Sequence, residues 1–157
     1  MDAHALDLLH GTSNTAFTRH DLREPEAILA DAELRGLIDF SEPVAVLLVA
    51  ILHFISDGEH PGDIIRRLLG PFPSGSFVAV SHGTVDGADL LPAARHYDRA
   101  TSRFYPHSRR EVQGLLGGFE LVPPGVVWAP RWRPEPGEGG QDKPGKSLLY
   151  AALACKP

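Results

Sequence analysis

Residues 43–82 read PVAVLLVAILHFISDGEHPGDIIRRLLGPFPSGSFVAVSH. The run from Val44 to Leu52 contains no polar side chain, and a segment without a polar face is predicted to be buried on both sides. It is far short of the roughly 20 apolar residues that a membrane span needs. Its valines and isoleucine, with Pro43 before it and Ser56-Asp57-Gly58 after it, favour a parallel strand over a buried helix. Pro61 suits the first turn of a helix, with Asp57 and Glu59 just upstream. Ile64, Ile65, Leu68 and Leu69 then share one face at helical spacing, with Arg66 and Arg67 off it. Pro71, Pro73 and Gly75 break the pattern. Phe77-Val78-Ala79-Val80 forms a second short strand, closed by Ser81-His82-Gly83. Strand, helix and strand at this spacing predict a right-handed βαβ unit. Ligands of open α/β sheets sit outside the carboxyl ends of the strands, and here those ends carry His53 and His82.

The 157 residues suit one domain with a real core. A net charge of -5 supplies no electrostatic attraction to nucleic acid or an anionic membrane. The single cysteine, Cys155, excludes an internal disulfide and argues against a cysteine-based metal site. The eight histidines are scattered, without an H-x-x-x-H or H-x-H pair, so no metal site is expected. No apolar core follows Met1, so no signal peptide is expected and a reducing cytoplasm is the default location. Arginine outnumbers lysine, and Ala, Gly and Pro abound, a composition that points to a GC-rich bacterial genome.

Outward from the central unit, Asp2 to His10 is a candidate short helix stopped by Gly11. Thr15 to His20 is a weak strand candidate running into Asp21-Leu22-Arg23. Pro25 opens a helical pattern through Ile28, Leu29, Ala32, Leu37 and Ile38. Beyond Gly83, a helix is predicted from Pro92 to Ala100. Ser108 and Glu111 have the S-x-x-E spacing of a capping box. The helix they open presents Val112, Leu115 and Leu116 and ends at Gly117-Gly118. Phe119 to Val122 is a strand, interrupted by Pro123-Pro124-Gly125 and extended by Val126-Val127-Trp128. Residues 130–146 are rich in Pro, Gly and charge and are predicted to be a mobile loop. Ser147 to Cys155 is the final strand. Two strands joined by a long loop without a helix are predicted to be antiparallel neighbours.

Several segments in this order resemble the second half of a class I S-adenosylmethionine-dependent methyltransferase. They are His20-Asp21-Leu22-Arg23-Glu24-Pro25-Glu26-Ala27-Ile28-Leu29, Asp39-Phe40 with Pro43-Val44, Leu47 to Phe54, Ser81-His82 and Pro130-Arg131-Trp132-Arg133-Pro134. The closer match is the bacterial S-adenosyl methyltransferase family long carried as a domain of unknown function. The resemblance implies an α/β fold: a truncated Rossmann-like sheet with parallel strands 3, 4 and 5 and C-terminal antiparallel strands 6 and 7. It makes residues 1–157 a single partial methyltransferase domain. Strand 3 falls near Phe17 and strand 4 on Val44 to Ile51. Strands 1 and 2 and the glycine-rich turn between strand and helix are expected upstream of Met1; no G-x-G turn of that kind occurs in the chain. The implied cofactor is S-adenosylmethionine. The implied cofactor-binding residues are Asp21, whose match accepts from the adenine amino group, with Leu22, Val49 and Ala50. Ile51 to Asp57 is also similar to the V-L-H-D-W segment of small-molecule O-methyltransferases, which implies His53 as the catalytic general base. Phe54 stands where that family has Asp. The implied partner is a small-molecule methyl acceptor, with no nucleic acid or membrane.

Plainer readings stand beside these. Asp21 is also suited to end a loop before the Pro25 helix, and His53 and His82 to serve as structural loop histidines. Ser81 and His82 do not form a hydrolase pair, because adjacent strand residues point to opposite faces. A strand 4 without strands 1 and 2 loses a hydrogen-bonded neighbour, and a buried unpaired edge is costly. Three outcomes are expected: the Phe17 strand pairs directly with strand 4, a partner chain covers the edge as in a homodimer, or residues 1–40 are loosely held. The function that follows is methyl transfer to a small molecule; the alternative is a non-catalytic remnant serving as a binding or dimerisation module.

Overall fold

A computed structural model describes residues 14–87, 103–135 and 147–157. Its sheet contains β1 (Ala45–Val49), β2 (Phe77–Gly83), β3 (Glu120–Leu121), β4 (Val127–Trp128) and β5 (Leu149–Cys155). The order is β1-β2-β5-β3, with β4 also against β5. β1 and β2 are parallel, and β5 is antiparallel to β2, β3 and β4. The predicted βαβ unit and antiparallel C-terminal pair are therefore formed. β3 and β4 lie in succession along one edge of β5, so the Pro-Pro-Gly interruption splits one strand into two short ladders.

Helix α1 (Pro25–Ala30) and helix α2 (Ala32–Leu37) replace the single predicted helix. The break is at Asp31, whose extended backbone lets its carboxylate accept from the Glu33 and Leu34 amides. An aspartate inside a helical pattern competes for the backbone and caps the second helix. Helix α3 (Pro61–Leu69) matches its sequence pattern closely. Pro61 sits in the first turn, Ile64, Ile65, Leu68 and Leu69 are buried, and Arg66 and Arg67 are exposed. Helix α4 (Arg109–Leu115) begins with the capping box of Ser108 and Glu111. Lys156 joins the end of β5 to the end of α3. Its Nζ donates to the carbonyls of Leu69, Gly70 and Phe72 at 3.1, 2.9 and 2.6 Å, satisfying acceptors that a helix C-terminus leaves open.

The core lies between one face of the sheet and the helices. Register puts Val46, Val78 and Ala154 in one row and Leu48, Val80 and Ala152 in the next. Ile64, Ile65, Leu68, Leu69, Val112 and Leu116 of the helices and their ends join the same buried cluster. Burying such side chains contributes roughly 1.5–3 kcal/mol each before entropy is charged against it.

Two expectations fail. The run around β1 is not buried on both sides: Leu47 is 65 % and Val49 62 % exposed. Alternation along the strand sends Leu48 into the core and its neighbours outward. No strand forms at Phe17, and among the described residues β1 pairs only with β2. β1 is therefore the edge strand of the described sheet, whose parallel part has two strands where three were expected. The predicted helices at residues 2–10 and 92–100 lie outside the described residues, as do residues 136–146 of the predicted mobile loop. Within that loop's first part, Ala129–Arg131 forms a 3-10 turn.

Candidate functional site

The chain leaves β1 sharply. Ala50 adopts a left-handed backbone (φ 52°), its amide bonds to the Ser81 hydroxyl at 2.9 Å, and Leu52–Phe54 forms a 3-10 turn. This turn separates two environments at the carboxyl end of the strand.

On one side is an open cavity of about 480 Å³ lined by Arg19 to Arg23 together with Ile51, Phe54 and Ile55. Asp21 sits before α1 in an Asx turn, its Oδ1 accepting from the Arg23 amide at 2.9 Å. The Arg23 guanidinium approaches Oδ1 at 3.2 Å and Oδ2 at 3.4 Å. The Asp21 carboxyl is held below the usual carboxylate range, first by the Arg23 amide and, against some desolvation, by the Arg23 guanidinium. It is an acceptor at neutral pH.

On the other side the His53 ring turns inward, 3 % exposed. Its Nδ1 accepts from the Gly83 amide at 3.1 Å. A backbone amide can only donate, so the neutral ring has its hydrogen on Nε2. Burial lowers the pKa of His53, which favours this neutral form. His53 lies edge-on to Phe104, with ring centroids 5.0 Å apart, and to His82 at 5.6 Å. His82 is fully buried; its Nδ1 donates to the Gly83 carbonyl at 2.8 Å, and its ring stacks on His107 at 4.6 Å. His107 in turn donates from Nε2 to Asp57 at 2.8 Å. Burial pushes the His82 pKa down to about 4. The segment after residue 102 lies across both strand ends: the Tyr105 amide bonds to the His53 carbonyl at 2.7 Å and the His107 amide to the Gly83 carbonyl at 3.0 Å.

The structure brings Asp21 and Leu22 together with the carboxyl end of β1, but at Ile51, Phe54 and Ile55 and not at Val49 or Ala50. Val49 is exposed on the outer face of the edge strand, and Ala50 serves the turn. His53 does not line the cavity, and its bond to Gly83 makes its other nitrogen a donor, whereas the resemblance implies a base. Sequence reasoning did not single out Phe54 or Arg23 as site residues, although both stand inside the segments that carry the resemblance. Trp132 is half-buried and has Arg133 over its ring at 5.0 Å. Among the described residues no group of His, Cys, Asp or Glu side chains is arranged to hold a metal ion, and no helix is long and apolar enough to cross a membrane.

A family model described as S-adenosyl methyltransferase matches residues 1–157. A solved structure of a DUF574-family protein from Streptomyces avermitilis is 33 % identical, with a TM-score of 0.90, over 99 % of this chain and 63 % of its own. A methyltransferase candidate from Thermobifida fusca is 30 % identical, with a TM-score of 0.86, over 98 % of this chain and 58 % of its own. The chain thus spans about three fifths of the length of these two solved relatives. TnmH, at 18 % identity and a TM-score of 0.53 over 90 % of this chain and 35 % of its own, is similar in fold alone. No curated protein matches.

Proposed function

The chain belongs to the S-adenosyl methyltransferase family, and on that premise we propose that it supplies the nucleoside end of an S-adenosylmethionine site in a methyltransferase acting on a small molecule. The observation that carries this reading is the meeting of Asp21 and Leu22 with Ile51 and Phe54 around one cavity at the carboxyl end of β1. An adenine ring needs apolar flanks and an acceptor for its amino group. Leu22, Ile51 and Phe54 offer the first and the ionised Asp21 the second.

When bound, the cofactor would supply an electrophilic methyl carbon on a sulfonium, open to in-line attack by the acceptor as the C–S bond breaks and the neutral thioether leaves. The chain's own share is positioning: Asp21 accepts from the amino group and the 51–55 turn forms the opposite wall. His53 is inward and neutral, and by accepting from the Gly83 amide it ties the 52–54 turn to β2. The glycine-rich turn implied for the methionine end has no counterpart among the described residues.

Calorimetry with adenosine, inosine and S-adenosylmethionine at about 1 mM, the Kd range of a ~4 kcal/mol interaction, tests this reading. Adenosine is expected to bind and inosine, which presents a carbonyl in place of the amino group, to bind at least tenfold more weakly. Asp21→Ala is expected to erase the difference. No heat with any of the three defeats the reading.

A second reading, a binding or dimerisation module without catalysis, is favoured by one observation. The strand β1 presents Leu47 and Val49 outward beside a backbone edge that is unpaired among the described residues, a surface that invites another strand. A concentration-dependent rise in sedimenting mass, abolished by Leu47→Lys, is expected under that reading. A constant monomer mass counts against it.

A further inference from the structure

We infer that Arg23 is a positioning residue that clasps the two walls of the nucleoside cavity and presents one oxygen of Asp21 to the ligand; the inference rests on the nucleoside reading above. The guanidinium has three partners on two segments. It donates to Asp21 on its own loop, to Glu59 Oε1 through Nε, and to the Phe54 carbonyl at 3.2 Å through an Nη. Phe54 belongs to the opposite wall, and Glu59 to the turn that follows it. Glu59 is itself fixed: its Oε2 accepts from the Ser56 amide at 2.8 Å and the Ser56 hydroxyl at 2.6 Å. Hydrogen bonds to Ser56 and to Arg23 hold its carboxyl down at about 2. An unbroken path therefore runs from Ser56 through Glu59 and Arg23 to Asp21.

The geometry at Asp21 is asymmetric. Oδ1 takes the Arg23 amide and the shorter guanidinium contact, while among the described residues Oδ2 has a single contact at 3.4 Å. A contact that long leaves a lone pair open. A planar fork is suited to this task, because its donors leave in fixed directions and reach carboxylate and carbonyl together. A lysine ammonium reaches one or two of the three. Stability is not the purpose of the arrangement. The side chains of Arg23, Asp21 and Glu59 are 45 %, 51 % and 37 % exposed, and exposed pairs add little to folding.

The test compares wild type with Arg23→Met, Arg23→Lys and Glu59→Gln. The probe is S-adenosylhomocysteine, and the Asp21 carboxyl is followed in parallel by carbon NMR titration without ligand. Gln at 59 keeps the capping box and does not line the cavity, so its effect reaches the ligand only through Arg23. Arg23→Met is expected to weaken the probe roughly tenfold, Glu59→Gln less, and Arg23→Lys to restore part of the loss. Melting temperature should stay within about 3 °C throughout. The Asp21 carboxyl should titrate higher in Arg23→Met than in wild type. Unchanged affinity and unchanged Asp21 titration in Arg23→Met overturn the clasp. Wild type that binds no probe overturns the nucleoside reading and the clasp's ligand role with it, while a shifted Asp21 titration would still separate that failure from an absent Arg23–Asp21 contact.

Discussion

Between pH 6.5 and pH 4 the folded protein is expected to lose about 3 kcal/mol of stability through one side chain, His82. The ring is fully buried, with its Nδ1 hydrogen committed to the Gly83 carbonyl. Burial disfavours the imidazolium first. The Gly83 carbonyl opposes this, and the neighbouring His107 and His53 add positive charge on protonation, with Asp57 acting the other way. The pKa falls from an ordinary 6.5 to about 4, which corresponds to about 3 kcal/mol by linkage. The sign follows from proton counting. In this window the unfolded chain holds a proton on residue 82 that the folded chain does not, so stability is complete above pH 6.5 and declines as pH falls toward 4. The lowered pKa of His53 acts in the same direction. Urea unfolding at pH 7.0, 5.5 and 4.5 measures the slope. His82→Asn keeps a donor for the Gly83 carbonyl and is expected to flatten it. An equal slope in wild type and variant would show that the acid sensitivity lies elsewhere.

The features that could be read from the chain are those fixed by local pattern. The buried face of α3, the cap at Ser108, and the βαβ order each depend on residues a few positions apart. β1 was misjudged because an apolar run states a preference for burial and not which neighbour provides it. Leu47 and Val49 are as apolar as Leu48, yet only Leu48 meets a helix layer in the described residues. The Phe17 segment forms no strand although the described residues leave the outer edge of β1 open: Thr15 to His20 has too few apolar side chains to favour a half-buried, pleated position. Asp31 carried the helix break in its chemistry, but the apolar spacing on either side masked it. The resemblance pointed to Asp21 and Leu22, which line one cavity with Ile51 and Phe54. The Arg23 to Glu59 bond spans 36 residues, and no local spacing encodes it. The tautomer of His53 is set by an amide on the next strand, a contact that no local spacing encodes.

That same glycine gives the second large effect. Gly83→Ala is expected to destabilise the fold by about 1–3 kcal/mol, the usual cost of overpacking a filled site. A Cβ at residue 83 would stand 2.3 Å from Phe104 Cζ and 2.6 Å from Cε2, with the His53 ring at 3.6 Å on another side. The segment carrying Phe104 is tied down directly after the ring, because the Tyr105 and His107 amides are bonded to the His53 and Gly83 carbonyls. The ring must therefore leave its place against His53, and the cluster at the strand ends loses its cover. Shortening the ring isolates this cause: Gly83→Ala with Phe104→Leu should be more stable than the sum of the two single changes, since the clash is then absent. Gly114→Ala provides the contrast. It lies inside α4 with nothing within 4 Å of an added Cβ, so the better helix propensity of alanine should stabilise by about 0.5–1 kcal/mol. Urea unfolding of the four variants at pH 7 reads all of these. Strict additivity between residues 83 and 104 would mean that the close approach does not govern the cost, and that glycine is required at this strand end for some reason other than room for Phe104.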